Sequence, residues 1–333
     1  MGGRTKRALL AIASVVLPAV AAGAATFYWQ PLWVNDEIIR YHLWRADVES
    51  RYLEANGYQI HYFEAKPPER FFKPNTTEEE GKPLVLIHGL GSRGEDWSGM
   101  IPGLAAAGFH VYVPDLLGYG RSPKPNVDYS VSLQEKTVMD FMDALGLEDS
   151  DVGGWSMGGW VALKLTIDHP EMVDRLVVFD SAGIYFPRTF EASLFVPTDS
   201  EGLARLSAML TPKPKPLPAF VARAAVSRLQ QNGWVIERSV ASMEAGKDML
   251  DFRLPEIHKP ALIVWGGSDY LIPPAVGEQM HRLIAGSSLL VISGCGHLAP
   301  GECARPVLQG TIDFLKAVPA IKGGEATVDG NVR

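Results

Sequence analysis

The stretch that decides the fold is Gly154-Trp155-Ser156-Met157-Gly158, which joins a short run of small and apolar residues to an amphipathic segment. A Gly-x-Ser-x-Gly pattern is typical of a sharp strand-to-helix turn, where the glycines allow a tight bend that presents the serine hydroxyl above a sheet. A glycine-rich turn with a solvated serine is the alternative, because a chain with 33 glycines can match this short pattern by chance. The surrounding sequence distinguishes the strand-to-helix turn from the solvated glycine-rich turn.

Short apolar runs surround this turn and alternate with helix-length amphipathic stretches. Continuous apolarity is typical of strands buried on both faces, and alternation with helices indicates parallel strands joined by right-handed crossovers. The sequence therefore predicts an α/β fold with a doubly wound, mostly parallel sheet. The runs are 84–87, 110–113, 176–179, 262–265 and 289–292, with 151–155 as a weaker strand and an Asn56-Gly57 hairpin before them.

This rhythm stops near residue 182 and resumes near residue 259. An insertion of that length in an α/β unit is more often a functional lid than a plain loop. The predicted organisation is a hydrophobic N-terminal segment (1–35), a core (50–181 and 259–318), a helical cap (182–258) and a flexible tail (319–333).

The composition is that of a globular protein and excludes several classes. The 333 residues include 31 Lys+Arg and 38 Asp+Glu, for a formal net charge of −7, and no basic stripe with interleaved aromatic residues suggests a nucleic-acid partner. The two cysteines, Cys295 and Cys303, cannot form a disulfide framework, and no motif has metal-ligand spacing. We expect no metal and no cofactor, and two buried thiols in preference to a Cys295–Cys303 disulfide.

The N-terminus carries Arg4, Lys6 and Arg7 ahead of an uncharged stretch over residues 8–35. As a helix, residues 8–29 would extend ~33 Å, enough to cross a ~30 Å hydrocarbon core. The pattern predicts a single-pass membrane protein whose catalytic domain lies on the non-cytoplasmic side. A cleaved signal peptide, giving a secreted or periplasmic protein, is the alternative.

Ser156 needs a base to take its proton, and the base needs an orienting acid. His297 follows the last predicted core strand in a glycine-flanked loop, and we predict that it is the base. Asp269 follows the strand immediately before the His297 loop and is the preferred acid. Asp180, which ends the 176–179 strand, is the alternative acid.

The oxyanion of an ester-cleavage intermediate needs preorganised N–H donors. Met157, directly after the nucleophile, offers one backbone N–H at a helix N-terminus. The His88-Gly89-Leu90-Gly91 turn offers another, with the Leu90 N–H best placed.

A competing pattern lies in the same turn. Residues 89–94 fit Gly-x-Gly-x-x-Gly after a strand, and Asp115 ends the next strand, which together approach a dinucleotide-binding fingerprint. This interpretation leaves Ser156, Asp269 and His297 unexplained and places the motif outside the first βαβ unit. We keep it as a minor alternative and interpret Asp115 as a turn-stabilising residue.

Five motifs occur in one order along about residues 52–317, and together they resemble the α/β-hydrolase fold superfamily. They are His88-Gly89-Leu90-Gly91, Pro114 to Ser122, Gly154 to Gly159, Gly266-Gly267-Ser268-Asp269 and Gly296-His297. The resemblance implies an eight-stranded, mostly parallel sheet flanked by helices, with a helical cap inserted after the sixth strand. It also implies the roles assigned above to Ser156, Asp269, His297, Leu90 and Met157.

The resemblance further implies a serine esterase or lipase that acts on a lipid or short acyl ester. A serine stands where epoxide hydrolases and haloalkane dehalogenases carry aspartate, which disfavours those activities. The N-terminal segment looks like that of membrane-anchored monoacylglycerol-lipase-like members, while Trp155 departs from the residues usual beside the nucleophile. The alternatives are a carbon–carbon bond hydrolase or perhydrolase with the same triad, a non-catalytic binding member of the fold, and a dinucleotide-dependent enzyme.

Overall fold

A computed structural model describes residues 3–68 and 81–331 of the chain, and within them nine strands form one sheet. The strands are β1 (Val48–Ala55), β2 (Tyr58–Ala65), β3 (Lys82–Ile87), β4 (Phe109–Pro114), β5 (Ser150–Trp155), β6 (Val173–Phe179), β7 (Ala261–Gly266), β8 (Ser288–Ser293) and β9 (Glu325–Asp329). The helices are α1 (Gly3–Trp29), α2 (Pro31–Arg45), α3 (Ile101–Ala106), α4 (Val131–Ala144), α5 (Met157–Asp168), α6 (Ser200–Leu210), α7 (Ala219–Gln231), α8 (Gly233–Glu244), α9 (Pro274–Leu283), α10 (Ala299–Glu302) and α11 (Ala304–Lys316).

The sheet has the strand order β1-β2-β4-β3-β5-β6-β7-β8-β9. β1 and β2 form an antiparallel hairpin, β2 also pairs antiparallel with β4, and the pairings from β4 through β3 to β9 are parallel. β4 and β7 are buried along their whole length, as their continuous apolarity requires when helices cover both faces. The predicted α/β architecture is confirmed.

The C-terminal residues differ from two expectations, which were a flexible tail over 319–333 and a sheet of eight strands. Glu325–Asp329 instead forms β9, which pairs parallel with β8 from Leu289 opposite Glu325 to Ser293 opposite Asp329. The β9 side chains are mostly exposed, so the strand is stabilised by backbone hydrogen bonds to an open sheet edge. A polar sequence gives no periodic signal for such a strand.

The N-terminal helices pack against the segment between β6 and β7. On α7, the ring of Phe220 stacks on Tyr28 at 5.1 Å and meets Phe27 edge-on at 5.6 Å. Across the described parts of the chain, no helix combines the length and the apolarity needed to cross a membrane. The predicted single-pass membrane localisation is therefore wrong, and the secreted or periplasmic alternative gains no support. Phe27 and Tyr28, at the end of that N-terminal stretch, instead contact α7.

The segment between β6 and β7 contains α6, α7 and α8 and is fixed to the core by buried polar groups. On α5, the indole N–H of Trp160 donates to the carbonyl of Asp248 at 2.7 Å. The hydroxyls of Tyr119 and Ser239 are hydrogen-bonded at 2.7 Å, which joins the loop after β4 to α8. These contacts place the helical segment over the carboxyl end of the sheet.

Candidate active site

Ser156 lies between β5 and α5 with φ 57° and ψ −119°, a positive-φ conformation that residues other than glycine rarely adopt. The turn brings neighbouring stretches of backbone so close together that no side chain fits between them. A Cβ on Gly154 would collide with the carbonyl of Gly158, and a Cβ on Gly158 would collide with the carbonyl of Ile87. The glycines of the pentapeptide are therefore a steric requirement of this turn.

Three of the predicted residues meet above the sheet in one chain of hydrogen bonds. The Ser156 hydroxyl lies 2.9 Å from His297 Nε2, and His297 Nδ1 lies 2.8 Å from Asp269 Oδ2. The other oxygen of Asp269 accepts the backbone N–H groups of Leu271 and Ile272, each at 2.9 Å. Because these N–H groups fix the carboxylate, Asp269 orients the imidazole with Nδ1–H as donor and Nε2 facing the serine.

The alternative acid, Asp180, lies at the end of β6 but is not hydrogen-bonded to His297. Its Oδ1 accepts the backbone N–H of Gly266 at 2.6 Å, and its side chain is buried. Burial, followed by repulsion from Asp269, raises the pKa of Asp180 well above its ordinary value. The structure thus places a carboxyl group with a raised pKa beside the carboxylate that contacts His297.

The loop that carries His297 is held from three sides. The Trp155 indole N–H donates to the backbone carbonyl of His297 at 2.8 Å, and the two rings lie 5.8 Å apart. Glu302 accepts the backbone N–H of Gly296 at 3.2 Å. Cys295 and Cys303 are joined in a disulfide, contrary to the preference for two thiols. Trp155, which stands out in the sequence only as an unusual residue beside the nucleophile, therefore helps to hold the His297 backbone in place.

The two predicted oxyanion donors, Leu90 and Met157, line one cavity together with Ser156. Met157 is the first residue of α5, and the N–H groups of a first helical turn have no intrahelical acceptor. The turn containing Leu90 is supported by His88, whose Nδ1–H donates to the Gly89 carbonyl at 2.9 Å and whose Nε2 accepts the Leu116 N–H at 3.0 Å. Burial lowers the pKa of His88, which keeps it neutral for both bonds.

Asp115, the candidate ribose-binding acid of the dinucleotide interpretation, has other partners. It accepts the backbone N–H groups of Gly94 at 2.7 Å and Arg121 at 2.8 Å, and His61 Nδ1 at 2.7 Å. Burial alone would raise its pKa, but the His61 hydrogen bond and nearby charges outweigh burial and hold that pKa below the ordinary value. These bonds fix the turns at the ends of β3 and β4, as expected of a turn-stabilising residue.

A cavity of about 450 Å³ opens above Ser156, between the core and the helical segment. Its lining is mainly apolar and includes Met157, Trp160, Phe186, Leu206, Ile236 and Met249. Among its lining residues, the one arginine, Arg188, forms an ion pair with Glu244, which also lines the cavity. A long apolar group would be desolvated here against a lining that is mainly uncharged.

A further cluster of charges near the site was missed by sequence reasoning. Asp36 on α2 is buried and accepts hydrogen bonds from Arg93, at 2.6 Å, and from Arg228 on α7, at 2.8 Å. Burial alone would raise the pKa of Asp36, but the two guanidinium groups hold it below the ordinary value. No local pattern marks this contact, because its members come from three distant parts of the chain.

The fold and the site together define a hydrolase. The chain belongs to the alpha/beta hydrolase fold family, whose model matches residues 82–302. The resemblance seen in the sequence is thereby confirmed.

Similar proteins include two kinds of hydrolase. Lipase 3 of Moraxella sp. (strain TA144) is 27% identical over 285 residues, covering 81% of this chain and 86% of that protein. The 2-hydroxy-6-oxononadienedioate/2-hydroxy-6-oxononatrienedioate hydrolase of Paraburkholderia phymatum is 31% identical over 263 residues, covering 72% and 89%. A crystal structure of a membrane phospholipase A, described as a bacterial virulence factor, superposes with a TM-score of 0.76 at 27% identity, covering 94% of this chain and 99% of that one.

Proposed function

We propose that this hydrolase cleaves carboxylic esters of lipids or short acyl chains through a serine acyl-enzyme intermediate. The observation that carries the proposal is the hydrogen-bonded chain Asp269–His297–Ser156 at the floor of an apolar cavity. The similarity to a lipase and to a structure named as a phospholipase supports an ester substrate.

In the proposed mechanism, Ser156 Oγ attacks the ester carbonyl while His297 Nε2 takes the hydroxyl proton. The N–H groups of Leu90 and Met157 stabilise the tetrahedral oxyanion, and Asp269 stabilises the imidazolium. His297 then gives its proton to the departing alkoxide, which leaves an acyl group on Ser156. Water, deprotonated by His297, attacks that acyl group and releases the carboxylic acid, and the proton returns to Ser156.

Carbon–carbon bond hydrolysis is the second candidate, because the Paraburkholderia phymatum relative is named for a dienedioate substrate. Such a dianion would need cationic partners, since an unpaired buried carboxylate is costly. In the cavity above Ser156, the arginine among the lining residues is already paired with Glu244. This apolar lining favours an uncharged acyl chain at that position.

A panel of p-nitrophenyl esters from acetyl to palmitoyl, with and without detergent micelles, tests the proposal. We expect Ser156→Ala to lower turnover by roughly 10⁴-fold or more and to abolish fluorophosphonate labelling, because no other group replaces the nucleophile. Ser193→Ala, at an exposed serine between β6 and β7, is the matched control and should retain activity.

Each alternative has a distinct outcome in the same experiment. Ester turnover unchanged by Ser156→Ala would indicate a non-catalytic binding member with adventitious hydrolysis. Faster cleavage of a vinylogous diketone, or peracid formation with hydrogen peroxide, would indicate a carbon–carbon hydrolase or a perhydrolase. Turnover of a nicotinamide cofactor by folded protein that fluorophosphonate does not label would contradict a serine hydrolase altogether.

A further inference from the structure

A second cavity, of about 340 Å³, adjoins the apolar cavity above Ser156. The two cavities share Gly91, Ser92, Asp96, Leu229 and Ile236, so a single ligand can extend from one into the other. The residues that line only the second cavity are Arg93, Gly120, Lys124, Arg228, Gln231 and Asn232. Here three cations and two amides replace the apolar lining found above Ser156.

The charges of this second cavity do not cancel. Arg93 and Arg228 share the carboxylate of Asp36, and Arg93 Nε also lies 3.6 Å from Glu95 Oε2, a carboxylate that it shares with Arg121. Asp96 also lines the cavity and accepts hydrogen bonds from the Ser92 hydroxyl, at 2.6 Å, and from the Arg93 backbone N–H, at 3.2 Å. Lys124 adds a further positive charge, so the residues that line the cavity carry three cations and one carboxylate.

Of the three cations that line the second cavity, Lys124 is the most available to bind a ligand. Its side chain is exposed, and it forms no ion pair with a carboxylate in the described part of the chain. The amides of Gln231 and Asn232, where α7 gives way to α8, supply neutral donors in the same cavity. Ammonium and amide N–H groups are suitable partners for phosphate or carboxylate oxygens.

We propose that the second cavity binds an anionic group, phosphate or carboxylate, on the alcohol part of the ester substrate. The inference rests on the proposed ester hydrolysis, with the acyl chain in the apolar cavity above Ser156. The alcohol part then extends past Gly91 and Ser92 towards Lys124. Lys124 is thus a specificity-determining residue that does not contact the reacting atoms.

Three octanoyl esters test this inference: 1-octanoyl glycerol, 1-octanoyl glycerol 3-phosphate and the octanoyl ester of glyceric acid. We expect kcat/KM to be about tenfold higher for an anionic ester than for the neutral one, and the preference to shrink at high salt. A preference for both anions, or for one alone, supports the proposal and identifies the charged group. Equal rates for all three esters, or a preference for the neutral ester, overturn it.

Lys124→Glu is the decisive variant, and Lys215→Glu is its control because it makes the same charge change at an exposed lysine that lines neither cavity. Lys124→Glu should remove or reverse the anionic preference, whereas Lys215→Glu should keep it. A preference that survives Lys124→Glu, or that both variants reduce equally, contradicts the proposed site. Thermal unfolding verifies that each variant is folded.

The two proposals fail in different ways. If p-nitrophenyl octanoate is not hydrolysed in a Ser156-dependent manner, ester hydrolysis itself is wrong. If it is hydrolysed but the anionic and neutral octanoyl esters react equally, only the anionic subsite is wrong.

Discussion

At the scale of single residues, Ser156 shows how a strained backbone is maintained. Its N–H donates to the Phe179 carbonyl at 3.0 Å, and its own carbonyl accepts the N–H groups of Trp160, at 3.2 Å, and Ala182, at 3.1 Å. A sparsely populated positive-φ conformation at a non-glycine residue costs on the order of 1–3 kcal/mol, and it persists where surrounding bonds over-determine it. Here the bonds to two segments, α5 and residues 179–182, leave the hydroxyl aimed at His297.

Substitution by asparagine should have opposite effects on activity at the two acids of the site. Asp269→Asn should lower kcat/KM by on the order of 10⁴-fold, because an amide in place of the carboxylate no longer fixes Nδ1–H on His297. Asp180→Asn should keep most activity, because Asp180 bonds to the Gly266 N–H and not to His297, and its raised pKa favours the neutral form that asparagine imitates. Steady-state kinetics with a p-nitrophenyl ester measure both effects.

Loss of folding has to be separated from loss of catalysis in this comparison. Circular dichroism and thermal unfolding of both variants provide that control. If Asp180→Asn loses as much activity as Asp269→Asn while it remains folded, Asp180 takes part in orienting His297, and the assignment of the acid is wrong.

At the scale of elements, Asp36 ties three segments together: α2, the loop after β3 and α7. Removing one member of a partly buried ion-pair network is destabilising because its partners lose their counter-charge. Asp36→Asn would leave Arg228 without a carboxylate partner among the described residues and Arg93 with only the more distant Glu95, 3.6 Å away. We expect a loss of about 1–3 kcal/mol in unfolding free energy, reduced from the fully buried case because both arginines are partly exposed.

The loosening should be concentrated in α7, since that helix loses an attachment to the core. Hydrogen exchange of α7 and limited proteolysis over residues 182–258 measure it directly. Glu37→Gln is the matched control, because Glu37 is exposed and pairs with Arg40 on the same helix. Equal protection of α7 in the Asp36 and Glu37 variants would show that Asp36 does not hold this segment.

At the scale of the whole molecule, local patterns explain most of what the sequence predicted. Local sequence is enough to recognise the glycines of residues 154–158 and the apolar runs of β3, β4, β6, β7 and β8. The parallel sheet and the positions of Ser156, Asp269 and His297 could therefore be predicted from the sequence. Strand β9 and the Asp36 cluster depend on partners far along the chain. Trp155 was visible as an unusual residue, but its bond to the His297 carbonyl follows only from the folded backbone.

Global stability should depend on pH through Asp151, near the start of β5. Burial raises the pKa of Asp151 to about 6, partly offset by Lys82 and Arg175, and neither carboxylate oxygen is hydrogen-bonded within residues 3–68 and 81–331. Well below pH ~4 the carboxyl is neutral in both the folded and the unfolded chain, so its ionisation does not affect the free energy of unfolding. Between the ordinary pKa of aspartate and about pH 6, Asp151 ionises in the unfolded chain but not in the folded one. The free energy of unfolding therefore falls as the pH rises through this range, and above it stays reduced.

Asp151→Asn should therefore stabilise the protein at pH 8 by about 1–3 kcal/mol and have much less effect near pH 4.5, since asparagine cannot ionise. Urea unfolding at the two pH values measures the difference in unfolding free energy. Asp149→Asn is the control, because that exposed neighbour has a positive φ of 49°, which asparagine tolerates, and its substitution should change little at either pH. A gain that is equal at both pH values would point to packing instead of ionisation. A loss at pH 8 would mean that the Lys82 ion pair outweighs the burial of the charge.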